Sequence, residues 1–121
     1  MAKILAVDDS KTIQKFVSFV LKMKKHDVVL ANDGIEALEN IRNYNFDLVI
    51  TDLNMPRMNG IELIKEIRSG SVNSDIPIIL LTTESEDIDK DMGFKAGANS
   101  YMVKPFDPPV LLAEVEKYVQ K

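Results

Sequence analysis

The sequence predicts an α/β protein: a doubly wound sheet of five parallel strands flanked by five helices, in one domain spanning 1–121. Three observations predict it. Short apolar runs alternate with longer stretches of helical period, five times over. Runs such as ILAV at 4–7 and IILL at 78–81 are apolar at every position, as expected of strands covered by helices on both faces. A length of 121 residues fits one domain whose core needs no covalent staple. Right-handed crossovers then leave few topologies, and the doubly wound sheet is the simplest.

The first strand, 4–7, runs into Asp8 and Asp9. Ser10 can cap the following helix, which carries Ile13, Phe16, Val17, Val20 and Leu21 on one face. Residues 27–31 read as the second strand, and Asn32, Asp33 and Gly34 as a turn. Ala37, Leu38 and Ile41 mark the second helix, and 48–51 the third strand. That strand leads into a carboxylate, Asp52, and the chain then breaks through a Met-Pro step and an Asn-Gly turn. Ile61, Ile64 and Ile67 mark the third helix, closed by Ser69, Gly70 and Ser71. Residues 78–81 form the fourth strand, and a fourth helix covers about 86–95, with Thr83 and Glu86 spaced as a capping box. A short fifth strand covers 101–103, and Leu111, Leu112, Val115 and Val119 define the last helix. His26 is expected at the surface and Met92 in the core.

Composition narrows the function. The absence of cysteine excludes disulfides and thiolate metal sites. No apolar run approaches the length of a membrane span, and the start turns acidic too early for a signal peptide. A cytoplasmic location with no membrane partner is expected. A net charge of −4 argues against nonspecific nucleic-acid binding. No output domain is recognisable after the fifth helix, so a stand-alone protein is expected.

In a doubly wound sheet, ligands bind beyond the carboxyl ends of the strands. The predicted ends carry Asp8 and Asp9, Asp52, Thr82 and Thr83, and Lys104 before Pro105. Each has an ordinary reading by itself: a solvated turn, a strand stop, a β-branched residue, a surface charge. Their joint placement at the ends of different strands favours one site. Three carboxylates there repel one another unless a cation joins them. Oxygen ligands without histidine or thiolate suit Mg²⁺. With Lys104 and Thr82 added, the set suits phosphoryl oxygens, and one carboxylate could become an acyl phosphate.

At this point the chain resembles the receiver domain of bacterial response regulators, and in its length the stand-alone CheY-like chemotaxis regulators. The resemblance rests on VDDS (7–10), DLNMPRMNG (52–60), LTTES (81–85), AGANSY (96–101) and VKPF (103–106). It implies a flavodoxin-like sheet in the strand order 2-1-3-4-5, which is that of the chemotaxis regulator CheY. It implies that Asp52 is the phosphoacceptor. Asp9, Asp52 and the backbone carbonyl of Asn54 would bind Mg²⁺, with Asp8 helping. Thr82 and Lys104 would engage the phosphoryl group, Asn54 and Glu84 would tune its loss, and the bond between Lys104 and Pro105 would be cis. Tyr101 would be an aromatic switch; a half-buried edge tyrosine is the other reading, and both stay open.

The resemblance further implies a histidine kinase as phosphodonor, self-catalysed phosphorylation and dephosphorylation, and a phosphoryl lifetime of seconds to minutes. A phosphatase partner is compatible with it. Output would pass through the fourth helix, fifth strand and fifth helix to a downstream protein, with the flagellar motor switch as the chemotaxis target and the chain acting as a monomer. The acids Glu84, Glu86, Asp87, Asp89 and Asp91 depart from that comparison and suit a helix start better than a basic partner. A basic outer side of the first helix, from Lys11, Lys15, Lys22, Lys24 and Lys25, reads as a solvated face or as a guide for an acidic kinase domain. The rival readings are a phosphorelay intermediate, a receiver fragment of a longer regulator, and a metal-dependent phosphatase. The last expects a second acid two residues after its nucleophile, where this chain has Asn54.

Overall fold

The computed structural model describes residues 2–70, 74–82, 87–104 and 107–119, and of 87–90 the backbone only. Among the described residues strands and helices alternate: β1 (Lys3–Val7), α1 (Lys11–Lys22), β2 (Asp27–Ala31), α2 (Gly34–Asn43), β3 (Leu48–Asp52), α3 (Gly60–Ser69), β4 (Ile78–Thr82), α4 (Asp87–Ala96), β5 (Ser100–Val103) and α5 (Pro108–Val119). The strands form one parallel sheet in the order β2-β1-β3-β4-β5.

Alternation within each strand sends side chains to two separate cores. Leu5, Val7, Val49, Ile78 and Leu80 meet Ala37 and Ile41 of α2 and Leu63, Ile64 and Ile67 of α3. Ile4, Ala6, Leu48, Ile50, Ile79 and Leu81 meet Val17, Val20 and Leu21 of α1 and Leu111 and Val115 of α5. Central strands β3 and β4 are buried at every position, which explains their unbroken apolar runs. Edge strand β2 buries fully only Ala31. Fully burying each Leu or Ile stabilises the fold by about 1.5–3 kcal/mol, so the sheet centre is a strongly held support for a site.

Local chemistry fixes the helix starts. Ser10 caps α1, its hydroxyl accepting from the Ile13 amide. Asp33 caps α2 by accepting from Glu36 N at 2.9 Å, so Gly34, read from sequence as part of a turn, is already helical. A reciprocal capping box of Asn59 and Glu62 starts α3. The box expected at Thr83 and Glu86 lies outside the described residues.

Two expectations are corrected. Met92 is 47% exposed, because neighbouring Gly93 takes the inward position of α4 against Leu80. His26 is buried, because its Nδ1 accepts a hydrogen bond from the Ala2 amide at 3.1 Å and so ties the chain start to β2. Its Nε2 is buried with no hydrogen-bond partner among the described residues.

Burial holds His26 below its ordinary pKa, with Glu116 pulling the other way. The unfolded chain therefore binds the proton more tightly than the folded one. Stability from the neutral ring is complete above about pH 6.5 and declines as pH falls through the lower folded value. Urea midpoints measured between pH 7.5 and 5 should fall more steeply for the wild type than for His26→Gln, which keeps an acceptor but cannot titrate. Parallel curves would refute a buried neutral His26.

Candidate functional site

The strand register brings the candidate residues together. Val7 of β1 pairs with Thr51 of β3, so Asp8 and Asp52 leave adjacent strands side by side. Asp52 is the last residue of β3 and pairs with Leu81, and Thr82 is the last of β4 and pairs with Val103. Both strands thus run one residue further than their apolar pattern, because ladder pairing continues through the polar residue. Lys104 follows β5 directly, its amide donating to Thr82 O at 2.6 Å.

Asp8 is held from several sides. Its amide donates to Ala31 O, its Oδ1 accepts from Ser10 N at 2.9 Å, and its carbonyl accepts from Gln14 Nε2 at 2.6 Å. Asp52 Oδ1 accepts from Leu53 N at 2.9 Å. Gly60 lies over the same strand end, where a Cβ would collide with the Asp52 carbonyl oxygen. The Asn-Gly step after the site is therefore a packing requirement as much as a helix start.

The acids form a tight set. One carboxylate oxygen each from Asp8, Asp9 and Asp52 lies within 4.8 Å of the others; Asp8 and Asp52 are buried and Asp9 is exposed. Lys104 Nζ reaches over them, 2.9 Å from Asp8 Oδ2 and 3.1 Å from Asp52 Oδ1. Burial pushes the Asp52 carboxyl above its ordinary pKa, and the Asp8 charge adds to the rise. Lys104 and the Leu53 amide offset only part of it. Burial acts against the Lys104 ammonium, but its bonds to Asp8 and Asp52 outweigh that and hold its pKa above the ordinary value.

Three carboxylates and one ammonium leave an excess of negative charge in a partly dry site. The donors are oxygen only, two of them rigidly held and one facing solvent. This set fits a hard divalent cation that keeps several waters, as Mg²⁺ does.

The other sequence candidates fall around this centre. Thr82 is buried at the end of β4. Asn54 is exposed on the loop after Asp52. Tyr101 is half-buried, with its ring edge-on to Phe94 at 5.9 Å between centroids. Glu84 and the peptide bond to Pro105 lie outside the described residues. Sequence reasoning missed Gln14. It is buried, and besides Asp8 it holds Asn32 Oδ1 at 2.8 Å, where Lys11 also donates at 2.7 Å. The signal was present: Gln14 shares the helix stripe of Val17 and Leu21, so it is a polar residue on an apolar face.

Comparison with known proteins finds relatives over nearly the whole chain. The family model described as the response regulator receiver domain matches residues 4–116. Chemotaxis protein CheY1 of Helicobacter pylori is 43% identical over 116 residues, 94% of each chain. The CpxR homologue of Haemophilus influenzae, named a transcriptional regulatory protein, is 38% identical over all of this chain and 52% of its own. The structure of chemotaxis response regulator CheY4 of Vibrio cholerae superposes with a TM-score of 0.93 at 42% identity, over 98% of this chain and 99% of the other.

The raised Asp52 pKa means that its charge opposes folding at neutral pH. In EDTA, Asp52→Asn should raise the thermal midpoint by about 4 °C, equivalent to roughly 1 kcal/mol in a domain of this size. A lowered midpoint would show that the pair with Lys104 outweighs the repulsion.

Proposed function

The chain belongs to the family of response regulator receiver domains, and on that premise we propose that it is a phosphorylation-activated switch whose Asp52 accepts a phosphoryl group from a histidine kinase. The observation that carries the reading is the placement of Asp52. It ends a fully buried strand, within 4.8 Å of two further carboxylates and 3.1 Å from the Lys104 ammonium.

The chemistry follows from the side chains. Leu53 N and Lys104 Nζ both bond Asp52 Oδ1, which leaves Oδ2 as the less encumbered nucleophile. Its lone pair attacks phosphorus as the P–N bond of the donor phosphohistidine breaks, and the electron pair leaves on the donor imidazole. Lys104 offsets charge on the equatorial phosphoryl oxygens, and the Thr82 hydroxyl donates to one of them. Mg²⁺ held by Asp9, Asp52 and the Asn54 carbonyl, with Asp8 helping, would supply Lewis-acid stabilisation of the same charge. Hydrolysis returns the carboxylate, at a rate tuned by Asn54 and Glu84.

Phosphorylation redistributes the contacts that Lys104 now makes to Asp8 and Asp52. New acceptor oxygens on Asp52 compete for the ammonium and for Thr82. Thr82 ends β4 and Lys104 follows β5, which packs with α4, so the equilibrium between two arrangements of α4, β5 and Tyr101 shifts. The reading extends to a cytoplasmic monomer in chemotaxis, with the flagellar motor switch as downstream partner. It is supported by the similarity to chemotaxis proteins over nearly their whole length. A second reading, the receiver part of a longer regulator, is favoured by the 52% share of the CpxR homologue that the chain covers.

Intact-protein mass after treatment with acetyl phosphate tests the chemistry. One phosphoryl group should add in Mg²⁺ and none in EDTA. Asp52→Asn should add none, and Lys104→Met should react at least about tenfold more slowly. Equal labelling of Asp52→Asn would overturn the assignment of the acceptor.

A further inference from the structure

The loop between β3 and α3 is fastened to a different element by two contacts that the phosphoryl chemistry does not use. Arg57 sits at φ +67°, a left-handed conformation uncommon for a residue with a side chain. It is the centre of a three-residue turn closed by Met58 N donating to Pro56 O at 2.7 Å. Such turns are rare and strained, so something must hold this one. The side chain supplies the hold: Arg57 Nε and its terminal nitrogen meet Asp33 Oδ2 at 2.8 and 2.6 Å. Asp33 is buried, and its Oδ1 is taken by the capped amide of Glu36. Each carboxylate oxygen thus has its own task, one for the helix and one for the loop.

The neighbouring residue adds an apolar contact. Met58 lies against Gly34 so closely that a Cβ there would come within 2.8 Å of its Cγ, Cβ and Sδ atoms. The loop therefore rests on the first turn of α2 through a polar and an apolar contact placed side by side. The chain between Asp52 and this anchor is short, and it carries Asn54. A clamp of this kind orients ligands that it does not touch.

We infer that Arg57 is a positioning residue: its pair with Asp33 pins the loop that carries Asn54, and so sets the affinity of the Asp8, Asp9 and Asp52 site for a divalent cation. The inference rests on the phosphoryl-accepting role proposed for that site. A merely structural Arg57 would act otherwise. Glycine relieves the left-handed strain, so Arg57→Gly should leave the apo protein as stable as before while loosening the loop. Asp33→Asn separates the two tasks, because asparagine caps a helix as well as aspartate but cannot attract the guanidinium.

The test is Mg²⁺ affinity by calorimetry, with thermal midpoints in EDTA measured on the same samples. Arg57→Gly, Arg57→Ala and Asp33→Asn should each weaken Mg²⁺ binding about tenfold. The Arg57→Ala, Asp33→Asn double variant should bind no more weakly than the weaker single, since both remove one interaction. Arg57→Gly should keep its EDTA midpoint. Affinities within about twofold of wild type in these variants, or losses that multiply in the double, would overturn the clamp. If wild type binds Mg²⁺ and accepts a phosphoryl group but the variants bind unchanged, this inference alone falls. If wild type binds no Mg²⁺, the proposed function falls with it.

Discussion

Repulsion among three carboxylates at one end of a sheet is the constraint on which the rest of the structure depends. Asp8, Asp9 and Asp52 converge within 4.8 Å because β1 and β3 are neighbouring parallel strands and so end at the same edge. The repulsion can be sustained because the strands beneath are buried at every position of β3 and β4 and cannot splay. Lys104 then reaches Asp8 across 96 positions of sequence. Its reach depends on the whole ladder, since β5 pairs with β4, β4 with β3, and β3 with β1. The ammonium balances one of the three charges and leaves the site disposed toward a further cation.

Around this centre backbone amides and short side chains hold the two buried acids. Asp8 is held by Ser10 N and Gln14, and Asp52 by Leu53 N. Gly60 admits close packing over the Asp52 carbonyl, and the Arg57 and Asp33 pair anchors the loop beyond. These contacts keep the acids oriented before any ligand arrives, which lowers the reorganisation that ligand binding needs. Lys104 is the exception. Its ammonium, on a four-carbon stem that starts just after β5, meets both Asp8 and Asp52.

Much of this was legible in the chain. The unbroken apolar runs of β3 and β4 exist because both faces are covered, and they marked the sheet centre. Polar residues at the ends of those runs, Asp52 and Thr82, marked the site even though ladder pairing makes them strand residues. What escaped was decided by tertiary neighbours. His26 reads as a surface residue between charges, yet the Ala2 amide, 24 positions away, draws it inward. Met92 reads as core, but Gly93 occupies the inward position. Arg57 carries no sequence signal, because its partner Asp33 is 24 positions earlier and looks like an ordinary turn residue. Gln14 was readable as a polar interruption of an apolar helix face, and its use became visible only with the Asp8 carbonyl in place.

The most direct measurement is a Mg²⁺ titration of the ¹⁵N-labelled protein followed by amide chemical shifts. A divalent-cation site at the acid cluster gives a saturable change at one site, largest at residues 8–10, 52–54 and 104, and lost in Asp9→Asn. Diffuse, non-saturating shifts spread over the acidic surface, with residues 8–10 and 52–54 no more affected than the rest, would contradict it.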